Sequence, residues 1–358
     1  MLSLKHIPPL FRRRKNLHHL RFSVQAGFAL FCLYCGYLFY LFYRWAMGGS
    51  ESYVARPPSV EAFLPISALV SLKRLVLTGV YDPIHPAGLT IFIAAILIGL
   101  FSRKGLCGWI CPVGFTSNLI EKLGLKMKTL RRAPKWLDWP LLSLKYLLLG
   151  FFLYLIVLKM DLAAIEAFNR TPYNLVVDAK MLLFFIEPGR LTLWVMGFLV
   201  AISFVSRNFW CRYLCPYGAL LGLLALAGPT RIWRDQELCI DCHKCEKVCP
   251  GAIRVAAKES VNSPECLGCL ECVSACPVDD CLTVSAYGRK RLPTLTLPLG
   301  VLAIFFFLWG WAQWSGHWHS EVPLDLLKNH YRESRFLPGL RGGVNSLSVT
   351  ICVQFSLP

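Results

Sequence analysis

Eight cysteines in one stretch carry the most specific chemistry in this chain. They read Cys239-x2-Cys242-x2-Cys245-x3-Cys249-Pro250, then Cys266-x2-Cys269-x2-Cys272-x3-Cys276-Pro277. A [4Fe–4S] cube needs four thiolates around a compact object, and three cysteines at x2 spacing wrap one face of it. The fourth cysteine of each run, turned away before its proline, ligates the other cube. The spacing therefore assigns Cys239, Cys242, Cys245 and Cys276 to a first cluster. It assigns Cys266, Cys269, Cys272 and Cys249 to a second. Zinc is the rival ion, but a four-cysteine zinc site usually carries two separated pairs. Cys239-Ile-Asp-Cys242-His243 also matches the C-x-x-C-H haem-attachment pattern. That match is five residues long, and both its cysteines are already needed for a cube.

A second cysteine pattern occurs twice. Ser102-Arg103-x3-Cys107-x3-Cys111-Pro112-x-Gly114 recurs as Ser206-Arg207-x3-Cys211-x3-Cys215-Pro216-x-Gly218. Each copy follows an apolar run, and each run is preceded by an acid–Pro pair, Asp82-Pro83 and Glu187-Pro188. The repeat implies two equivalent halves related by a pseudo-two-fold along a membrane normal. Cysteines four apart share a helix face. A proline biases the residue before it away from helix and suits a helix start, so Cys111 and Cys215 should stand at helix N-termini. There the dipole, with Arg103 and Arg207 nearby, would favour thiolate. Cys107, Cys111, Cys211 and Cys215 together would make a soft tetrahedral site for an iron–sulfur cluster or Cu(I). A redox-active dithiol and plain packing of small hydrophobes are the other readings.

The elements that must position these thiols are apolar. Of 358 residues, 55% are hydrophobic and only 16% charged, with a mean hydropathy of +0.50, the profile of a membrane protein. The net charge of +17 invites a nucleic-acid reading. The cations instead cluster at Arg12–Lys15 and Lys122–Lys135, flanking apolar runs, as topology signals do. No base-reading module is visible, so nucleic acid is not an expected partner. Five spans are expected, at Phe22–Tyr43, Pro86–Phe101, Leu141–Leu158, Leu191–Val205 and Leu292–Trp314, with an interfacial or re-entrant piece at Ile66–Val80. Trp309, Trp311 and Trp314 mark an interface. The expected fold class is thus a membrane α-helical bundle with an inserted α+β two-cluster domain. Its parts are a basic N-terminus (1–21), a membrane domain (22–228), the cluster domain (236–285), a final span (292–314) and an extracytoplasmic tail (315–358). The basic segments 102–140 and 206–291, like the N-terminus, should face the cytoplasm. That is also the reducing side that thiolate clusters require.

Of the other cysteines, Cys32 and Cys35 lie one turn apart in the first span and read as packing. Cys281 reads as a buried neighbour of the cluster motif, and Cys352 has no pattern around it. His317 and His319 read as an interfacial polar cap rather than a metal pair. Lys145, inside a span, is a functional candidate by default, placed where it could snorkel to the cytoplasmic interface.

Spans, a doubled Cys-x3-Cys-Pro motif and a tandem ferredoxin motif together resemble the polyferredoxin membrane family, over about residues 20–320. That family includes the ferredoxin-type quinol dehydrogenase subunit of periplasmic nitrate reduction, the nitrous-oxide reductase regulator and the copper-reducing accessory protein of cytochrome oxidase assembly. The resemblance implies electron transfer between the quinone pool and a redox partner in the cell inner (cytoplasmic) membrane. It carries over to the eight cluster cysteines and to Cys107, Cys111, Cys211 and Cys215. Two [4Fe–4S] clusters, a third metal or cluster site and quinone are the cofactors and substrate so implied. A copper reductase or assembly factor and a redox-sensing regulator are the alternatives. Against that resemblance, neither the large N-terminal flavin-binding domain of the nitrous-oxide regulator nor the extended C-terminal domain of the copper reductases is expected of this chain.

Overall fold

The computed structural model of the protein describes residues 15–131, 134–286 and 290–334. Arg12 to Arg14, Cys352 and the tail beyond Ser334 lie outside the described residues. The chain opens with helix α1 (Lys15–Ala46), followed by α2 (Pro65–Thr78) and α3 (Pro86–Phe101). Next come α4 (Pro112–Lys126), α5 (Lys135–Leu153), α6 (Leu162–Asn169), α7 (Val177–Ile186), α8 (Arg190–Val205) and α9 (Pro216–Ala227). Strands β1 (Arg231–Arg234), β2 (Ser260–Val261), β3 (Leu282–Ala286) and β4 (Lys290–Leu292) precede α10 (Thr296–Trp314) and α11 (Leu324–Ser334).

Sequence explains most of these boundaries. Proline at the first turn starts α2, α4 and α9, where its missing N–H costs nothing and its fixed φ is already helical. Gly79, left-handed at φ 72°, ends α2, a conformation that glycine reaches without a Cβ clash. The expected Ile66–Val80 piece is this 14-residue helix, too short for a span.

Three helical stretches are long and apolar enough to cross a membrane: Asn16–Ala46, Trp136–Lys159 and Thr296–Trp314. Helices α7 and α8 meet at a 74° bend and make a fourth if the pair is one span. At 16 residues, α3 rises only about 24 Å, short of a hydrocarbon core of about 30 Å. The last helix begins at Thr296 and not at Leu292, because Lys290–Leu292 pairs with β3 instead.

The four strands form one antiparallel sheet in the order β2-β1-β3-β4. Ile232 faces Val261 on one side and Val284 on the other. All three are buried, as period-two alternation on a one-sided sheet requires. The sheet takes in Arg231–Arg234 and Lys290–Leu292, so it extends past the 236–285 segment at both ends.

By contacts the chain divides into two compact units. One comprises, of the described residues, 15–30, Ala94–Leu149 and Ser203–Phe307. Its core joins helix residues Ile98, Trp109, Leu221 and Val301 to Ile232, Val255, Leu270 and Val284 of the sheet and its loops. Each such aliphatic side chain contributes about 1.5–3 kcal/mol on burial. The other unit comprises Phe31–Ile93, Gly150–Ile202 and, of the described residues, 308–334, with Phe39, Phe42, Leu175, Val176, Leu327 and Tyr331 in its core.

Candidate iron–sulfur site and its mounting

Two cavities divide the eight motif cysteines four and four. Cys239, Cys242, Cys245 and Cys276 line one; Cys249, Cys266, Cys269 and Cys272 line the other. The loops that carry them repeat one backbone device. Asp241 and His243 in the first run, and Gly268 and Leu270 in the second, all have φ between 48° and 62°. Left-handed residues alternating with ordinary ones turn successive N–H groups toward one concavity, an anion-binding nest. Only Gly268 adopts this φ without strain, so three bulkier residues are held there by their surroundings.

The thiols themselves are poor anions where they stand. Burial pushes Cys249 up to about 11 and Cys269 up to about 12, and holds Cys272 well above the usual range. Such sulfurs are protonated at neutral pH until a metal displaces the proton. Among the described residues, no three His, Cys, Asp or Glu side chains converge closely enough for a single metal ion. Four thiols around a lined cavity and a ring of amide donors fit an anionic multi-iron cluster better than zinc.

The repeat cysteines are also brought together. Cys211 lies within electrostatic reach of Cys111, Cys215 and Cys107. Cys111 and Cys215 are the N-cap residues of α4 and α9, each followed by proline. The Gly218 amide donates to the Cys215 sulfur at 3.3 Å, and the Val113 and Gly114 amides do the same for Cys111. Gly114 is required: a Cβ there would stand 2.6 Å from the Cys107 carbonyl oxygen. Burial, with the neighbouring thiols, again dominates and pushes Cys107 up to about 12.

The loop between Cys107 and Cys111 lies directly against the loop between Cys266 and Cys269. The Trp109 indole donates to the Gly268 carbonyl at 3.0 Å, and a Cβ on Gly108 would come within 2.5 Å of the Leu267 oxygen. Arg21 of α1 ties the same corner, donating to the Gly108 carbonyl at 3.0 Å and to Glu271 at 2.8 Å. In the second repeat Arg212 replaces Gly108 and donates to the Gly251 carbonyl and to Asp138.

The two repeat arginines have a different task from the one expected. Arg103 donates to the carbonyls of Ala225 and Ser263 and to Asn262. Arg207 donates to those of Lys247 and Cys249. Both fasten the cluster domain, and the cations acting on Cys107 are Lys104 and Lys145. Lys145 does not snorkel: fully buried, it meets Glu265, beside Cys266, at 2.5 Å. Sequence could not pair residues 120 positions apart, although the glycine standing opposite Arg212 in the repeat was a signal of close approach.

The remaining candidates sit apart from this site. Cys35 is buried and accepts from Ser59 at 3.2 Å. His317 stacks on Trp311 at 5.5 Å and bonds Ser315. Cys281 is buried against the first cavity. In the second unit, Arg56 bridges Glu61 (2.9 Å) and Asp178 (2.7 Å), His85 lies 3.5 Å from Glu61, and Tyr331 donates to Asp178. This buried charge network joins positions spread from 56 to 331, and nothing in the sequence announced it.

The fold and its cysteines define a membrane-associated iron–sulfur protein of the ferredoxin type. A family model described as "4Fe-4S dicluster domain" matches residues 233–284. One described as "4Fe-4S binding domain" matches residues 84–131 and again 190–233, the two repeats. YccM of Escherichia coli K12, assigned by name to electron transport, is 44% identical over 78% of this chain and 80% of its own length. Protein NirI of Paracoccus denitrificans is 30% identical over 71% of this chain and 35% of its own. The ferredoxin-type protein NapH of Haemophilus influenzae is 28% identical over 53% and 67%. No solved structure matches the chain. The chain belongs to the polyferredoxin membrane family, the ferredoxin-type membrane electron-transport proteins.

Proposed function

We propose that this chain links the quinone pool to a redox partner, holding two [4Fe–4S] clusters in the ferredoxin domain and a third at Cys107, Cys111, Cys211 and Cys215. When bound, such clusters supply one-electron transfer. The chain supplies their spacing and surroundings. The observation that carries the reading is the abutment of the Cys107–Cys111 loop on the Cys266–Cys269 loop. It supports a route from the repeat cysteines to the second ferredoxin site and on to the first, whose Cys242 is exposed. The match of both repeats to a 4Fe-4S model supports a cluster at the repeat cysteines over a lone copper ion, as does the lack of convergent single-ion geometry among the described residues.

For topology we carry forward five spans in the cell inner membrane, with the ferredoxin in the cytoplasm and residues from Ser315 outside. The basic flanks support this orientation. A reporter fused near Gly288 should be active in the cytoplasm; activity only in the periplasm would overturn it.

Iron content tests the cluster count. Anaerobically purified protein should hold about twelve irons per chain, and Cys111→Ser or Cys215→Ser about eight. About eight irons in the parent, unchanged in both variants, would remove the third cluster.

A further inference from the structure

Cys281 is not simply a neighbour of the cluster motif. It is 2% exposed and lines the same cavity as Cys239, Cys242, Cys245 and Cys276. Its thiol is close enough to those of Cys276 and Cys239 to interact with both electrostatically, and lies 3.7 Å from the Asp235 carbonyl oxygen. The backbone holds it there. Asp280, just before it, is left-handed at φ 60°, and the Asp235 amide donates to the Cys281 carbonyl at 2.8 Å.

The other half of the ferredoxin provides an internal comparison. After Cys249 the chain again turns through a left-handed residue, Ala252 at φ 51°. The residue that follows and lines the second cavity is Ile253. The same corner is thus closed by an aliphatic side chain beside one set of four cysteines and by a thiol beside the other. Packing alone is satisfied by isoleucine. A sulfur that shares the cavity of the four motif cysteines has a further capacity, because thiols exchange on iron without a change of oxidation state.

We propose that Cys281 is a reserve ligand of the first cluster site, able to replace Cys276 when that thiolate is lost. In the exchange the Cys281 sulfur gives up its proton and forms an Fe–S bond. The Fe–S bond to Cys276 breaks and its sulfur takes a proton, so charge and electrons balance. The inference rests on the two-cluster reading of the ferredoxin domain.

Iron content and EPR of the full-length protein, purified anaerobically, test it. Cys276→Ala should keep the iron of the parent, with an altered first-cluster signal. Cys276→Ala/Cys281→Ala should lose about four irons. Cys249→Ala, whose corner holds Ile253, should lose about four as a single variant. Equal losses in Cys276→Ala and the double variant would overturn the reserve role. If Cys249→Ala loses none, it is the two-cluster reading that fails. Cys281→Ala leaves every expected ligand in place and covers the case in which Cys276→Ala does not fold. Under air its first-cluster EPR signal should decay several-fold faster than the parent's, and equal decay would overturn the proposal.

Discussion

The indole nitrogen of Trp109 donates to the carbonyl oxygen of Gly268 at 3.0 Å, joining the residue midway between two repeat cysteines to the residue just before a cluster-loop cysteine. Beside it Gly108 leaves no space for a side chain. Gly108→Ala must therefore push the two loops apart. Reduction of the ferredoxin sites by a quinol analogue should slow at least tenfold, while iron content stays near that of the parent. Trp109→Phe keeps the ring but loses the hydrogen bond, worth about 0.5–1.5 kcal/mol, and should slow it less. Parent rates in Gly108→Ala would exclude this corner as the route.

The four repeat cysteines act as one unit on our reading. Cys111→Ser and Cys215→Ser should each abolish most quinol-dependent reduction, and the double variant should be little worse. Groups that share one function are non-additive in this way, whereas separate packing positions add. Stopped-flow reduction of the three variants distinguishes the cases.

Lys145 and Glu265 form a buried pair whose partners cannot be removed singly without cost. Lys145→Met leaves the carboxylate beside Cys266 without its cation and should destabilise the protein by about 3–5 kcal/mol. Lys145→Met/Glu265→Gln should recover most of that, because neither charge is then buried alone. Thermal unfolding in detergent reads both. An unchanged midpoint in Lys145→Met would show that the pair adds nothing to stability.

His85 gives the second unit a pH dependence. Burial by itself would lower its pKa. The Glu61 carboxylate, 3.5 Å from the ring, outweighs this, with Arg56 opposing and Asp178 assisting, and the result lies above the ordinary 6.5. A raised folded value means that the stabilisation is fully present below pH 6.5 and is lost as pH rises through the higher folded value. The melting temperature should fall over that interval above 6.5, and His85→Gln should flatten the fall. An identical slope in the variant would rule His85 out.

The sequence was most legible where function is carried by spacing along the chain. The helix Pro86–Phe101 coincides with the expected segment, because an uninterrupted apolar run bounded by proline admits few other readings. The N-cap positions of Cys111 and Cys215 follow from proline's covalent geometry alone. Legibility ended where contacts are long-range. Chain proximity sets Arg103 beside the repeat thiols, but its partners include Asn262 and Ser263. Leu292 reads as the start of the last span but pairs with β3, since its hydrophobicity suits a helix and a strand equally well. The expected segment Leu191–Val205 lies within α8, and what the sequence did not show is the apolar helix α7 packed ahead of it, set off by a 74° bend at proline and glycine 188–189.

The ferredoxin sheet is joined to the helices at both chain ends by very short connections. Three residues separate α9 from β1, and three separate β4 from α10. Arg103, Arg207 and Arg212 fasten the same domain from the repeats. A domain mounted in this way does not swing on a tether between a loading and an unloading position. Internal electron hand-over is then governed by fixed distances, and its rate should be indifferent to solvent viscosity, with only the meeting with an external partner slowing in glycerol.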